Sequence, residues 1–280
     1  MTPSPAVHPE ILELIRLALA EDIGSGDVTS EACVPADRMA SGYFLARAPL
    51  VLAGLEVLAP VYAARGGIEQ LTILHANGDR LNEGDRIATV YGRARTLLEC
   101  ERVALNFLQR LSGIATVARQ YAELVEGTRC KVLDTRKTTP GLRRLEKAAA
   151  AAGGVTNHRI GLFDAILIKN NHISAAGGVR PALENARRSG LPIEIEVRER
   201  AELEEALACG ATHLLLDNLS PLQAAEWVHL VNGRATIELS GGIDLTTVRS
   251  YAETGADYVS AGAITHSAPA VDISFRLELL

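Results

Sequence analysis

Six short runs of apolar and β-branched residues recur through the second half of the chain. They lie at Lys131–Asp134, Ala165–Lys169, Ile193–Val197, His213–Asp217, Thr236–Ser240 and Tyr258–Ala261. Helical patterns separate most of them, at Leu142–Ala152, Arg180–Ser189, Ala201–Cys209, Pro221–Leu230 and Leu245–Glu253. Repeated strand–helix units imply a parallel sheet covered by helices. Repetition without a long excursion favours a barrel, and six strands in place of the usual eight make that α/β barrel incomplete. Pattern alone leaves an open doubly wound sheet as the alternative.

The first part of the chain follows a different grammar. Residues 9–21 carry Ile11, Leu12, Ile15, Ala18 and Leu19 on one helical face, with Pro9 at the start. The loop Glu21–Asp27 breaks that helix. Short β segments follow at Tyr43–Ala48, Leu50–Gly54, Leu71–His75 and Arg86–Gly92, punctuated by turns at Asn77–Asp79 and Glu83–Asp85. Leu97–Leu111 and Ile114–Val125 read as two helices interrupted at Ser112–Gly113. The predicted division is an N-terminal α/β domain over residues 1–112, with the tail 270–280 packing back on it, and a barrel over residues 113–269.

With 280 residues, 48% of them apolar, the chain can bury a large core and is not a disordered one. No apolar run reaches the ~18 residues of a membrane span. The start, Met1 to Glu10, has neither a basic region nor an apolar stretch, so the expectation is a cytoplasmic protein. Cys33, Cys100, Cys130 and Cys209 are scattered, which argues against a disulfide framework or structural zinc.

The net charge of −6 argues against nucleic acid or an anionic membrane as partner. Its distribution is uneven. From Arg129 to Lys169 nine basic residues face three acidic ones, a net +6 that leaves −12 for the rest. One basic island in an acidic chain points to a small polyanion. Only four lysines occur, Lys131, Lys137, Lys147 and Lys169, against 24 arginines. The positions of Lys137 and Lys169 favour a task that needs a compact ammonium.

In a parallel barrel the carboxyl ends of the strands converge on one mouth. Here they read Thr135-Arg136-Lys137, Lys169, Glu196, Asp217, Ser240-Gly241-Gly242 and Ala261-Gly262-Ala263. Arg136, Lys137, Arg159 and Lys169 can clamp carboxylates or phosphates. Glu196 and Asp217 suit Mg²⁺ held together with substrate phosphates, or else form ion pairs with Arg136 or Lys169. The two glycine loops let a backbone approach an anion. His158 and His172 are read either as ligands or as structural histidines. Arg102, on a helix outside the barrel, reads by pattern as a surface arginine.

Asp134-Thr-Arg-Lys-Thr-Thr-Pro-Gly-Leu-Arg143, Asn157-His-Arg-Ile-Gly-Leu162 and Leu167-Ile-Lys-Asn-Asn-His-Ile173 resemble the quinolinate phosphoribosyltransferases, the carboxylating nicotinate-nucleotide pyrophosphorylases. Ala20–Thr29, Glu101–Phe107, Leu216–Asn218 and Ser240–Ile243 match as well, so nearly the whole chain is covered in order. Val155 departs, standing where relatives commonly carry a third Gly. The resemblance implies a type II phosphoribosyltransferase with an N-terminal α/β sandwich domain and an incomplete α/β barrel. It implies reaction of quinolinate with phosphoribosyl pyrophosphate, giving nicotinate mononucleotide, CO₂ and pyrophosphate for NAD synthesis, with Mg²⁺ required. It also implies a homodimer with shared sites. Quinolinate then falls to Arg136, His158, Arg159 and Lys169, with Arg102 from the partner subunit. Phosphoribosyl pyrophosphate falls to Lys137 and the loops Ser240–Gly242 and Ala261–Ala263, and Thr135 counts among the substrate-binding residues. Glu196 and Asp217 take the ribose hydroxyls and the metal, and Lys137, Lys169, Glu196 and Asp217 carry catalysis. Two other readings compete: a barrel lyase forming a Schiff base on Lys169, and the molybdenum-transport accessory protein that shares this fold.

Overall fold

Strand Ile193–Val197 pairs in parallel with its neighbours on both sides, so both its edges are taken. Its sequence alternates all the same, Ile-Glu-Ile-Glu-Val, so the two acids share one face of an interior strand. The computed structural model describes residues 8–279. The expectation drawn from the chain's start rests largely on residues 1–7, which lie outside the described ones.

In chain order the elements begin with α1 (Pro9–Ile23), α2 (Val28–Cys33), β1 (Met39–Ala46), β2 (Leu50–Val51), α3 (Leu58–Ala63), β3 (Gln70–Ile73), β4 (Arg80–Leu81), β5 (Arg86–Arg93) and α4 (Ala94–Leu124). There follow β6 (Lys131–Leu133), α5 (Arg143–Ala152), β7 (Ile166–Ile168), α6 (Asn170–Ala176), α7 (Val179–Arg187), β8 (Ile193–Val197) and α8 (Arg200–Ala208). The chain ends with β9 (His213–Asp217), α9 (Pro221–Val231), β10 (Thr236–Ser240), α10 (Val248–Ala252), β11 (Tyr258–Ser260), α11 (Ala263–His266) and β12 (Ile273–Leu279). Two compact units arise. The first comprises residues 1–117, 140–154 and 268–280; the second comprises 118–139 and 155–267. The span 113–269 is therefore not one block, because α5 belongs to the first unit.

The first unit carries an antiparallel sheet in the order β12-β1-β5-β3. The chain's last strand closes one side of β1, Phe44 opposite Phe275, and their rings lie 5.0 Å apart. Residues alternate along β1 between buried and half-buried, the period a one-sided sheet requires. The break expected at Ser112–Gly113 is absent: α4 runs through it for 31 residues. Packing accounts for this pair. The Ser112 hydroxyl donates to the Ala53 carbonyl and accepts from the Ala53 N–H at 3.1 and 3.0 Å. A side chain at Gly113 would collide with the Pro269 carbonyl. The two residues buy close approach of neighbouring backbone at a small cost in helix propensity.

The second unit is a six-stranded parallel sheet ordered β6-β11-β10-β9-β8-β7. Sequence neighbours β6 and β7 stand at opposite edges, and every other consecutive pair is bonded. This cyclic order is that of a barrel left open between its first two strands. The outer edge of β6 is partly satisfied by the segment before β7: Thr156 N donates to Val132 O at 2.8 Å and Asp134 N to Thr156 O at 3.1 Å. Alternation along the strands aims Glu196 and Asp217 inward at the carboxyl ends.

Candidate active site

The strand ends of the second unit enclose a cavity of about 710 Å³. Thr135, Arg136, Lys137, His158, Arg159 and Lys169 line it, with Glu196, Asp217, Ser240, Gly241, Gly242, Gly262 and Ala263. Two predicted residues lie elsewhere. Ala261 is buried, because the preceding Ser260 takes the inward position. Arg102 is exposed on α4, in the first unit.

The basic side is built by one buried carboxylate. Asp134, fully buried, accepts the backbone N–H of His158 at 2.7 Å and the Asn157 side-chain amide at 2.7 Å. It thus ties the loop after β6 to Asn157-His158-Arg159 and places Arg136 beside Arg159. Burial, and then the charge of Arg136, lower the proton affinity of Arg159. Two like charges held together in this way favour an anion between them. The Arg159 guanidinium also donates to Ala165 O at 2.9 Å. His172 is structural: its Nδ1 accepts the Lys169 N–H at 2.9 Å and caps α6.

The acidic side is already paired. Glu196 is 2% exposed; Lys169 Nζ holds one of its oxygens at 2.9 Å and Arg198 the other at 2.7 Å. Arg198 also reaches within 3.8 Å of Asp217. The predicted ion pair with Lys169 is present, and Arg198 is a partner that strand-end reasoning missed. Asp217 accepts the Asn218 amide at 2.7 Å. One half-buried and one buried carboxylate fit a hard cation whose remaining ligands are substrate oxygens.

The glycine loop after β10 has a backbone reason. Gly241 (φ +105) and Gly242 (φ +62) lie where L side chains are strained. A Cβ at Gly241 would meet the Asn218 side-chain oxygen and, at 2.7 Å, its backbone N, whereas at Gly242 it would meet nothing. Gly262 packs against the Lys137 stem, and Thr265 bonds the Lys137 carbonyl at 2.9 Å.

Beneath this floor lie residues that the sequence reading did not single out. Glu194 of β8 and Glu238 of β10 approach His158 Nε2 at 3.3 and 3.4 Å. Burial works against a charged imidazole, but hydrogen bonds to the two carboxylates, and their charges, push its pKa up to about 10. Burial likewise raises Glu194.

Residues 27–112 match the profile of the quinolinate phosphoribosyl transferase N-terminal domain, and residues 114–276 that of its C-terminal domain. The chain belongs to the quinolinate phosphoribosyltransferase family. A probable carboxylating nicotinate-nucleotide pyrophosphorylase of Bacillus subtilis is 38% identical over 97% of this chain and 95% of its own length. The decarboxylating quinolinate phosphoribosyltransferase 1b of Nicotiana tabacum is 38% identical over 98% of this chain and 85% of its own. Among solved structures, NadC from Streptococcus pyogenes superposes with a TM-score of 0.93 at 41% identity, covering 99% of this chain and 100% of that one. The nicotinate-nucleotide pyrophosphorylase of Francisella tularensis gives 0.91 at 37%, covering 98% of both chains. The incomplete barrel and separate antiparallel domain are thus the architecture of this quinolinate phosphoribosyltransferase family.

Proposed function

We propose that the chain transfers the phosphoribosyl group of phosphoribosyl pyrophosphate to quinolinate and decarboxylates the product. The outcome is nicotinate mononucleotide, CO₂ and pyrophosphate, a step in NAD synthesis. The observation that carries this reading is a single cavity lined both by Arg136, Arg159 and Lys169 and by Glu196 and Asp217.

The cations suit a dicarboxylate, which bidentate guanidinium groups bind best. Lys137 and the Gly241–Gly242 backbone suit the phosphates. The ring nitrogen attacks the ribose carbon with its lone pair as the bond to pyrophosphate breaks, so no protein nucleophile is used. Positive charge develops on the ribose, and Glu196 and Asp217 lie where fixed negative charge stabilises it. The bond to the ring carboxylate then breaks, the electron pair passes to the cationic ring, CO₂ leaves and solvent supplies a proton. Mg²⁺, held by Asp217 and Glu196 with substrate oxygens, would neutralise charge on the pyrophosphate. Lys169 Nζ is committed to Glu196, which speaks against a Schiff base.

We further read the protein as a cytoplasmic homodimer with shared sites, Arg102 reaching the partner's cavity, and with neither nucleic acid nor membrane as partner. Exposure of Arg102 on α4 is compatible with that role. No helix among the described residues is long and apolar enough to cross a membrane. Release of CO₂ and nicotinate mononucleotide from quinolinate, with nicotinate as the control that yields neither, tests the reaction.

A further inference from the structure

Interior positions of a parallel barrel are normally filled by branched apolar side chains in layers drawn from alternate strands. Here β8 and β10, which flank β9, place Glu194 and Glu238 at such positions. Glu238 is 4% exposed and the Glu194 side chain 17%. Burying two carboxylates a few ångströms apart is costly unless a proton or cation joins them. His158 supplies the joint. The three donor atoms lie within 4.8 Å of one another, and Nε2 sits between the two acids.

The other edge of the same ring faces the site. His158 lines the large cavity, and its Nδ1 lies 2.7 Å from the Arg159 backbone N–H. On the opposite side, His158, Glu194 and Glu238 line a second cavity of about 230 Å³. Its other walls include Ile193, His213, Thr236 and Tyr258, at the amino ends of four strands. The ring is therefore a partition between the two ends of the barrel. The remaining charged groups around it are Asp134, which holds the His158 backbone, then Arg136 and Arg159 on the cavity side, and His213 toward Glu194.

We propose that Glu194 and Glu238 are positioning residues: together they hold the Nε2 proton of His158, and so they fix the ring beside Arg159 at the floor of the quinolinate site. Leu, Ile or Val would fill the same space without that consequence. The proposal rests on the reading of the cavity as a quinolinate site.

Two measurements test it. The first is nitrogen NMR of protein labelled in histidine, with His158 assigned through His158→Gln. A proton on Nε2 is expected; an Nε2 without a proton overturns the proposal. The second is calorimetric binding of quinolinate and, separately, of phosphoribosyl pyrophosphate to Glu238→Gln and Glu194→Gln. Quinolinate affinity should fall about ten- to a hundredfold, by analogy with loss of the carboxylate behind a metal-bound histidine, with phosphoribosyl pyrophosphate affinity unchanged. Wild-type quinolinate affinity in a folded variant overturns the proposal, as does equal loss of both ligands. If the Gln variants do not fold, Glu238→Asp, which keeps the charge but shortens the reach, should show the same selective loss in smaller degree. Should wild-type protein bind no quinolinate, the positioning role falls with the reading of the cavity, and the Nε2 signal still separates that failure from failure of the pairing.

Discussion

Lys169 Nζ stands 2.9 Å from Glu196 Oε2, joining the ends of two adjacent strands across the mouth of the barrel. Glu196 is almost fully buried, so truncating its partner leaves a charge underpaired. Lys169→Ala should cost about 2–5 kcal/mol of transition-state binding, roughly 30-fold to several-thousand-fold in kcat/KM. Steady-state kinetics on folded variant checks it. Borohydride added with substrate should trap no adduct on Lys169, and recovery of one would favour the lyase reading.

Gly242 offers a cleaner probe of phosphate binding than Gly241. At Gly241 any side chain strikes Asn218, so Gly241→Val should lower the melting temperature as well as activity. At Gly242 there is open space, and Gly242→Ala should cost about 1–2 kcal/mol of backbone strain. A larger loss in phosphoribosyl pyrophosphate affinity than in stability, compared by calorimetry and thermal melting, is the expected result.

Stability should fall on the alkaline side. His158 binds a proton more tightly folded than unfolded, since hydrogen bonds to the two carboxylates raise the ring from its ordinary value to about 10. A raised value stabilises fully below the unfolded pKa of about 6.5, and the gain is lost as pH climbs toward 10, at most about 1.4 kcal/mol per unit. Denaturant melts across that window should show the decline, and His158→Gln should flatten it.

The carboxylates at the mouth separate metal from structure. Asp217→Asn should reduce turnover while leaving the melting temperature near wild type, because Asp217 is half-buried and its neighbour Asn218 keeps a partner. Excess chelator should abolish activity, and added Mg²⁺ should restore it. Full activity in chelator would remove Mg²⁺ from the scheme.

Shared sites have a counting test. Arg102→Ala and Lys137→Ala are each expected to be inactive. In a mixed dimer one site carries both lesions and the other neither. Random exchange makes about half the dimers mixed, so activity should return to roughly a quarter of wild type. No return, with exchange confirmed, places Arg102 outside the partner's site.

Much of the fold was legible because inward and outward residues repeat with the element's own period. β8, β9 and β10 coincide with the apolar runs read from sequence, and their ends named most of the cavity wall. What escaped was what periodicity does not encode. Ser112–Gly113 looks like a break, and only the packing of Ala53 and Pro269 against it explains a continuous helix. Ile-Glu-Ile-Glu-Val alternates between apolar and acidic residues, yet it is both its acids that face inward. Two acids at inward positions of one strand were a signal available in the sequence. Arg198, one residue past β8, carried none, since nothing local says that it turns toward Glu196.

The path of the chain through the two units limits how such a protein can be taken apart. It visits the first unit three times and the second twice. A cut after Ser112 would strip β1 of its partner β12 and remove α5 from the unit to which it belongs. Neither piece keeps all the partners that its unit packs with. An exchange of the first unit between relatives would have to move all three of its segments together.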